Sequence, residues 1–309
     1  MNSKHVNRLF LSVVLMHFVL IAILIVSSPF FSLGILSNLL ASQMVILLPA
    51  IISFIIKKEK FNFKELGFGR LRFSTALLVV LYTILCLPLV TVVNALSMLF
   101  VDNTVVALSS EILSVPFPAA FFMIAFFGPF SEEFVFRGIM FHGYKKDGNV
   151  LGAVLLSALT FSFMHMNFNQ AGYAFVIGIA LAFIMLATGS FLAPMIMHFI
   201  INAQSVCMMF LTEKIMPGSL AADAAAMTKD ELLMTIGIYS VIAAVTTVLA
   251  ICLLIYIADR EGHKEDLQRL LQKPEGAKRR ITPALIIALF IAFVYMLFEA
   301  VLTMMMQNI

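Results

Sequence analysis

The stretch that decides how this chain folds is Gly128-Pro129-Phe130-Ser131-Glu132-Glu133-Phe134-Val135-Phe136-Arg137. Two adjacent carboxylates and an arginine lie here within a run of Phe, Ile and Met. An ionised side chain in apolar surroundings is costly unless it is paired, so these three charges must neutralise one another or serve a function. The stretch therefore predicts a buried polar site, and the remaining residues are interpreted around it.

The composition places this site in a membrane. Of the 309 residues, 62% are hydrophobic and 12% are charged, and the mean hydropathy is +1.04. A soluble domain carries about 25% charged residues, so a soluble protein is excluded. Cys86, Cys207 and Cys252 lie singly in apolar runs. This spacing indicates neither a disulfide framework nor a zinc cluster of the CxxC type.

Nine stretches are apolar and long enough to form membrane-spanning helices, each of which needs about 20 residues. Spans 1 to 9 are expected at about 9–28, 34–56, 74–100, 118–144, 150–166, 171–187, 190–211, 232–257 and 283–306. The sequence thus predicts an all-α protein, a polytopic transmembrane helix bundle of about 8–9 helices. Residues 1–309 are expected to form a single transmembrane domain.

The basic residues predict the orientation of the bundle. With the N-terminus in the cytoplasm and the spans alternating, 18 of the 20 Lys and Arg residues fall on the cytoplasmic side. Because short cytoplasmic loops carry an excess of Lys and Arg, this distribution predicts a multi-pass plasma-membrane protein with a cytoplasmic N-terminus. The basic connector at 57–72 is expected to lie on anionic lipid headgroups.

Two polar segments carry local predictions. Thr228 and Glu231 have the spacing of a capping box and should start span 8. Residues 259–280 form a charged cytoplasmic linker with a weak apolar stripe that ends at Leu271. This pattern predicts a helical extension of span 8 that stops near Pro274.

The spacing of the charges on span 4 assigns them different roles. Glu133 and Arg137 are four residues apart and share one helix face, so Arg137 can hold Glu133 ionised. Glu132 points about 100° away from Glu133, because a helix has 3.6 residues per turn. The sequence therefore predicts one structural carboxylate, Glu133, and one working carboxylate, Glu132.

Depth in the membrane predicts which polar residues meet. Glu132 on span 4 and His165 on span 5 each lie about 21–22 Å from the turn that joins these spans. His198 and Asn202 are four residues apart on span 7. His198 lies only about eight residues beyond the turn at 188–190, so it reaches the same depth only if this uncharged turn is sunk into the membrane.

These residues form three motifs in order along the chain. Glu132-Glu133-xxx-Arg137, Phe161-xxx-His165 and His198-xxx-Asn202 resemble the signature of the CAAX-protease and bacteriocin-processing family of intramembrane peptidases. Each motif is weak alone, but three in this order on neighbouring helices are fairly specific. The resemblance covers about residues 118–205 and implies a catalytic core on helices 4, 5 and 7.

The resemblance also implies residue roles. Glu132 and His165 would activate a water that attacks a peptide carbonyl, and a carboxylate–imidazole pair is a standard general base. His198 and Asn202 would donate hydrogen bonds to the developing oxyanion, as preorganised donors do in other peptidases. The implied catalytic residues are Glu132, His165, His198 and Asn202, and the implied site-shaping residues are Glu133, Arg137 and Phe161.

The cofactor question stays open between two alternatives. The sequence contains no His-Glu-x-x-His motif, and we favour water activation without a cofactor. A Zn²⁺ ion held by Glu132, His165 and His198, with an open fourth position, remains the alternative and would make the protein metalloprotease-like.

The main functional hypothesis is a CAAX-type intramembrane protease, a hydrolase that cleaves a membrane-anchored, prenylated or hydrophobic substrate. Its expected partners are membrane lipid and a peptide or lipidated protein, and no nucleic acid is expected. The alternative is a non-catalytic membrane protein of the same fold, such as an immunity factor, a regulatory scaffold or a transporter. The sequence does not indicate the oligomeric state.

Overall fold

A computed structural model describes residues 1–30, 33–57, 64–219, 228–272 and 280–307. In this part of the chain every regular element is a helix, and eight helices are long and apolar enough to cross a membrane. The helices are α1 (Ser3–Ser27), α2 (Ile35–Lys57), α3 (Phe73–Met98), α4 (Thr104–Ala107), α5 (Ser109–Leu113), α6 (Phe117–Lys145), α7 (Val150–Met164), α8 (Phe168–Thr188), α9 (Leu192–Ile215), α10 (Lys229–Glu261), α11 (Lys264–Gln268) and α12 (Pro283–Gln307).

The predicted multi-pass helix bundle is confirmed. Spans 1 to 9 correspond to α1, α2, α3, α6, α7, α8, α9, α10 and α12. Span 5 is the one that differs in kind: α7 has 15 residues and is about 22 Å long, too short to cross a bilayer core of about 30 Å. Because α7 stops early, His165 at its end lies inside the bundle.

The fourth span, α6, is a composite helix. Its α-helical parts, Phe117–Phe121, Gly128–Glu133 and His142–Lys145, alternate with two π-helical parts, Phe122–Phe127 and Phe134–Phe141. Pro129 has no N–H to donate, so it loosens the helix in the turn before it. The wide turns flank the segment that carries the two carboxylates, and π turns are frequent at functional sites.

Helix α8 lies at the centre of the bundle. It packs against α3, α7, α9 and α10. In its apolar stretch 56% of the residues are buried, the largest share of the eight candidate spans. Helix α10 packs along α3, and α1 packs against both α2 and α12. The central helix therefore supports α6, α7 and α9, which carry the predicted site residues.

The turn between α8 and α9 is covered by the connector that precedes α3. The backbone N–H of Phe191 donates to the Gly67 carbonyl at 2.7 Å, and the Ser190 hydroxyl donates to the Gly69 carbonyl at 3.2 Å. Phe68 stacks on Phe191 with ring centroids 4.3 Å apart. The turn is thus covered by protein, and its depth in the membrane stays a prediction.

The end of α10 differs from the sequence prediction. The capping box at its start is confirmed, since Thr228 and Glu231 exchange hydrogen bonds. However, α10 ends at Glu261, because Gly262 adopts the left-handed conformation with φ of +78°. Helix α11 then packs back against α8 and α10, so the predicted continuous extension of span 8 is wrong. The predicted stop near Pro274 lies outside the described residues.

Candidate active site

Glu133 is the centre of a buried hydrogen-bonded cluster. Its Oε1 accepts from Arg137 Nη1 at 3.0 Å and from His198 Nδ1 at 2.8 Å. Glu133 and Arg137 are fully buried, and His198 is 5% exposed. The predicted pairing of Glu133 with Arg137 is present, and the same carboxylate also orients His198. This cluster ties α6 to α9.

Arg137 ties the same cluster to α7 and α8. Its Nη2 donates to the Gly178 carbonyl on α8 at 3.2 Å, and its guanidinium carbon lies 4.2 Å from the centre of the Phe161 ring on α7. A guanidinium over an aromatic face is attracted by the ring quadrupole. Arg137 is therefore in contact with residues of three helices, α6, α7 and α8, which fits a site-shaping role.

Gly178 lies outside the three sequence motifs and nevertheless shapes the site. A Cβ at this position would lie 2.9 Å from the Ala158 Cα and 3.3 Å from Arg137 Nη2. Only glycine lets α7 and α8 approach this closely while the Gly178 carbonyl accepts from Arg137. A small residue facing a small residue on the neighbouring helix is the signal that could have identified it.

Glu132 stands apart from the buried cluster. Its side chain is 17% exposed, whereas that of Glu133 is not exposed at all. The Glu132 Oε2 lies 3.7 Å from His198 Nε2, which is longer than a hydrogen bond. His198 therefore lies between the two carboxylates. Its Nδ1 is bonded to Glu133, and its Nε2 faces Glu132 without a hydrogen bond to it.

His165 caps the C-terminal end of α7 and has a defined tautomer. Its Nδ1 lies 3.0 Å from the Phe161 carbonyl oxygen. A carbonyl can only accept, so Nδ1 carries the hydrogen and the Nε2 of a neutral ring carries the lone pair. Glu132 lies within electrostatic range of this ring. His165 is thus equipped to accept a proton at Nε2.

Phe161 connects the two histidines. Its ring makes edge contacts with His165 and His198, at centroid distances of 5.0 Å and 5.7 Å. The same ring supports the Arg137 guanidinium. Phe161 therefore fixes the relative positions of three polar side chains that come from three different helices.

Asn202 is joined to α6 rather than left free. Its Nδ2 donates to the Ile124 carbonyl at 2.9 Å. In the π-helical turn, the Gly128 N–H bonds to Met123, and the next donor position is Pro129, which has no N–H. The Asn202 amide replaces the missing donor, since a buried carbonyl without a partner is unfavourable. One further N–H of Asn202 remains, and an oxyanion role would have to use it.

The alternative zinc site would need Glu132, His165 and His198 to lie around one point. Within the described ranges, no three His, Cys, Asp or Glu side chains form a group able to hold a metal ion. His165 Nδ1 and His198 Nδ1 are bonded to the Phe161 carbonyl and the Glu133 carboxylate, which leaves Nε2 of each ring as the nitrogen that could bind a metal. The zinc alternative therefore stays a prediction, without a group of three ligands among the described residues to support it.

Comparison with known proteins gives one finding. A family model described as "Type II CAAX prenyl endopeptidase Rce1-like" matches residues 114–204. The matched segment includes all seven predicted site residues, and it contains the whole of α6 and α7, which together with the C-cap of α7 carry five of them. The resemblance inferred from the three motifs is thereby confirmed. No curated protein and no solved structure matches the chain.

Proposed function

We propose that this chain is an intramembrane endopeptidase that hydrolyses a peptide bond of a membrane-anchored substrate with water activated by Glu132 and His165. The observation that carries the proposal is the contrast between the two adjacent carboxylates. Glu133 is buried and bonded through Oε1 to Arg137 and His198, whereas Glu132 is partly exposed, with its Oε2 3.7 Å from His198 Nε2. A carboxylate that is left free at such a site is suited to proton transfer.

The reaction begins with a water between Glu132 and His165. His165 Nε2 or the Glu132 carboxylate takes a proton from the water while its oxygen forms a bond to the peptide carbonyl carbon. The carbonyl oxygen becomes an oxyanion in the tetrahedral intermediate. The same proton then passes to the leaving nitrogen, the C–N bond breaks, and a carboxylic acid and an amine leave the site.

The oxyanion needs hydrogen-bond donors that are already in place. His198 Nδ1–H is used on Glu133, so Nε2 can donate only while the ring carries both protons. Asn202 can offer the N–H that is not bonded to Ile124. One well-placed donor is worth about 3–4 kcal/mol in the transition state of a related acyl transfer.

An aromatic cluster supports an apolar or lipidated substrate. It consists of Phe68, Phe130, Phe134 and Phe191, with neighbouring ring centroids 4.3–6.4 Å apart. Phe130 and Phe134 bracket the two carboxylates in sequence, and Phe130 is 37% exposed. A prenyl or other hydrophobic group next to the scissile bond would find an apolar surface here. The name of the matched family agrees with this substrate class.

The test is proteolysis by the purified full chain in liposomes. The substrates are a farnesylated peptide with a C-terminal CAAX sequence, its unprenylated counterpart and an apolar membrane-spanning peptide. Glu132→Gln, His165→Ala and His198→Ala are each expected to lower the rate by about 10²–10⁴-fold. Cleavage that survives Glu132→Gln would sink the mechanism.

Two matched controls separate chemistry from a general loss of polar groups in the membrane. Glu299→Gln on α12 removes another carboxylate, and His17→Ala on α1 removes an imidazole that contacts Tyr295. Both are expected to keep the wild-type rate. A zinc chelator that abolishes cleavage, with recovery on adding Zn²⁺, would favour the metal alternative. A folded wild type that cleaves none of the peptides would count for the non-catalytic alternative.

A further inference from the structure

The turn that joins α7 to α8 has an unusual backbone at the residue after His165. Met166 has φ of 55°, and it is the one non-glycine residue in the described ranges with positive φ. It is 3% exposed and cannot relax toward solvent. An L-residue in this left-handed region is unfavourable and persists only where its surroundings enforce it. The contacts that enforce this turn therefore also decide where His165 lies.

The carboxamide of Asn167 is the most heavily used group in this turn. Its Nδ2 donates to the His165 carbonyl at 2.9 Å and to Gln170 Oε1 at 2.7 Å. Its Oδ1 accepts from the Gln170 N–H at 2.8 Å and from the Thr104 hydroxyl at 3.1 Å. One side chain thus caps the start of α8, holds the end of α7 and reaches α4.

Asn169 secures the same turn to the rest of the bundle. Its Oδ1 accepts from the Thr104 N–H at 3.2 Å. Its Nδ2 donates to Asn94 Oδ1 at 2.9 Å and to Ser97 Oγ at 2.8 Å, both on α3. The turn is therefore tied to two elements, α3 and α4, that contain none of the predicted site residues. Neither Asn167 nor Asn169 belongs to the three motifs.

The position of the His165 ring follows directly from this backbone. The ring's Nδ1 is bonded to the carbonyl of Phe161, one turn earlier on the same helix. The ring therefore moves together with the backbone of residue 165. The last turn of α7 is tight, with the His165 N–H bonded to Ser162 three residues back. Any rotation of the His165 peptide would displace Nε2 from the water that it is proposed to activate.

We propose that Asn167 is a positioning residue for His165, and that its N–H bond to the His165 carbonyl holds the ring with Nε2 free toward the site. The proposal rests on the proposed function only for the role of His165 as a proton acceptor. Its structural content, that Asn167 sets the state of the His165 ring, holds without any substrate.

The discriminating variant is Asn167→Asp. Aspartate keeps the oxygen that accepts from the Gln170 N–H and from Thr104, so the N-cap of α8 is retained. It loses the donor to the His165 carbonyl and to Gln170 Oε1, and it places a carboxylate oxygen next to both acceptors instead. A merely structural cap would tolerate this change, whereas a positioning residue would not.

The matched control is Asn149→Asp at the other end of α7. Asn149 is also an N-cap, and its Oδ1 accepts from the Gly152 N–H at 2.7 Å. It lies at the opposite end of the helix from His165. The two variants therefore make the same chemical change at caps of adjoining helices, and only one of them touches the His165 carbonyl.

The substrate-free measurement is ¹⁵N NMR of histidine-labelled full-length protein in nanodiscs, with the His165 signals assigned by their loss in His165→Gln. Wild type and Asn149→Asp are expected to show the Nδ1–H tautomer at His165. Asn167→Asp is expected to show a mixture of tautomers. An unchanged His165 tautomer in Asn167→Asp, or the same change in Asn149→Asp, would overturn the proposal.

The kinetic measurement uses the cleaved peptide from the protease test. Asn167→Asp is expected to lower kcat by about 10- to 100-fold with little change in KM, because a small misplacement of a catalytic group mainly costs turnover. If Asn167→Asp does not fold, Asn167→Ser replaces it, since serine is also a good N-cap for α8 and carries no amide to donate to the His165 carbonyl. A normal His165 tautomer in Asn167→Ser would then count against the proposal. A wild type that shows the Nδ1–H tautomer but cleaves none of the peptides would count against the proposed function and not against the role of Asn167.

Discussion

At the scale of single residues, the buried Glu133–Arg137 pair serves orientation more clearly than stability. Desolvation of two charges offsets most of their attraction, so a buried pair is weak evidence for net stabilisation. Glu133 Oε2 and Arg137 Nε lack a hydrogen-bond partner within the described residues, which adds to the cost. What the pair provides is a fixed acceptor for His198 and a fixed cation between α7 and α8.

Removing one partner of this pair is expected to be far more harmful than removing both. Arg137→Met leaves the Glu133 charge buried and should cost about 3–5 kcal/mol of stability. The double variant Glu133→Gln/Arg137→Met should lose markedly less. Thermal unfolding in detergent, followed by the helical circular dichroism signal, measures both.

The control is an exposed pair on the same protein. Lys146 and Glu65 lie 3.1 Å apart with side chains 54% and 59% exposed. Lys146→Met is expected to change stability by no more than about 1 kcal/mol. Equal losses in Arg137→Met and in the double variant would contradict the interpretation of a buried, uncompensated charge.

At the scale of elements, the contact between α7 and α8 sets the geometry of the site. Gly178 and Ala158 bring the two helices close enough for Arg137 to reach a backbone carbonyl. In membranes, small residues at helix contacts replace the hydrophobic driving force that water supplies elsewhere. The position of Phe161, and through it both histidines, depends on this contact.

Gly178→Ala is expected to destabilise the protein by about 1–3 kcal/mol and to lower peptidase activity, because the added methyl overlaps the α7 backbone. Gly172→Ala is the matched control on the same helix. A Cβ there would lie 3.6 Å from Val93 Cγ1, an ordinary contact. Melting curves and cleavage rates of both variants check the expectation. If Gly178→Ala behaved like Gly172→Ala, the close approach would not be a constraint.

At the scale of the whole molecule, two polar networks fasten the outer helices to the motif-bearing core. Asn7 on α1 donates to the Arg280 carbonyl at 2.6 Å and accepts from the Tyr144 hydroxyl at 2.7 Å. Arg280, just before α12, donates to the Asp147 carbonyl at 2.6 Å. Helices α1 and α12 lie outside the matched family segment, yet they are joined directly to the end of α6.

The second network joins α11 to the same end of the bundle. Asp266 accepts from His263 at 3.0 Å and from Lys145 at 3.2 Å, and Arg269 lies 3.7 Å away. Burial alone would raise the pKa of the Asp266 carboxyl, but the hydrogen bonds from His263 and Lys145 outweigh it and lower the pKa below its ordinary 3.8. A carboxyl with a lowered pKa stabilises the fold above its ordinary pKa, and this contribution is lost as the pH falls through the folded value.

Helix α11 is therefore expected to loosen from the bundle below about pH 4. Asp266→Asn should loosen it already at neutral pH and remove the pH dependence. The mobility of a spin label at Gln268→Cys, in a background without the three native cysteines, measures this. Glu265→Gln, at the neighbouring exposed position, is the control and should behave as wild type. A tightly held label at low pH in wild type would refute the expectation.

The bundle, its nine apolar stretches and much of the site could be predicted from the sequence, and each for a local reason. Hydropathy over about 20 residues is enough to recognise spans, and i,i+4 spacing is enough to pair Glu133 with Arg137. The cytoplasmic N-terminus and the plasma membrane stay predictions from the basic residues. The predicted helical extension of span 8 was wrong, because the left-handed turn at Gly262 ends the helix before the apolar stripe begins.

The contacts between helices were decided by the tertiary structure alone. The sequence by itself determined an all-helical membrane protein with carboxylates, histidines and an asparagine on three helices, because apolar length and helical period act within one segment. It did not determine that His198 bonds Glu133, that Asn202 replaces the donor missing at Pro129, or that Asn167 holds His165. Each of these bonds depends on the rotation and depth of one helix against another, which is set by close approaches such as Gly178 on Ala158.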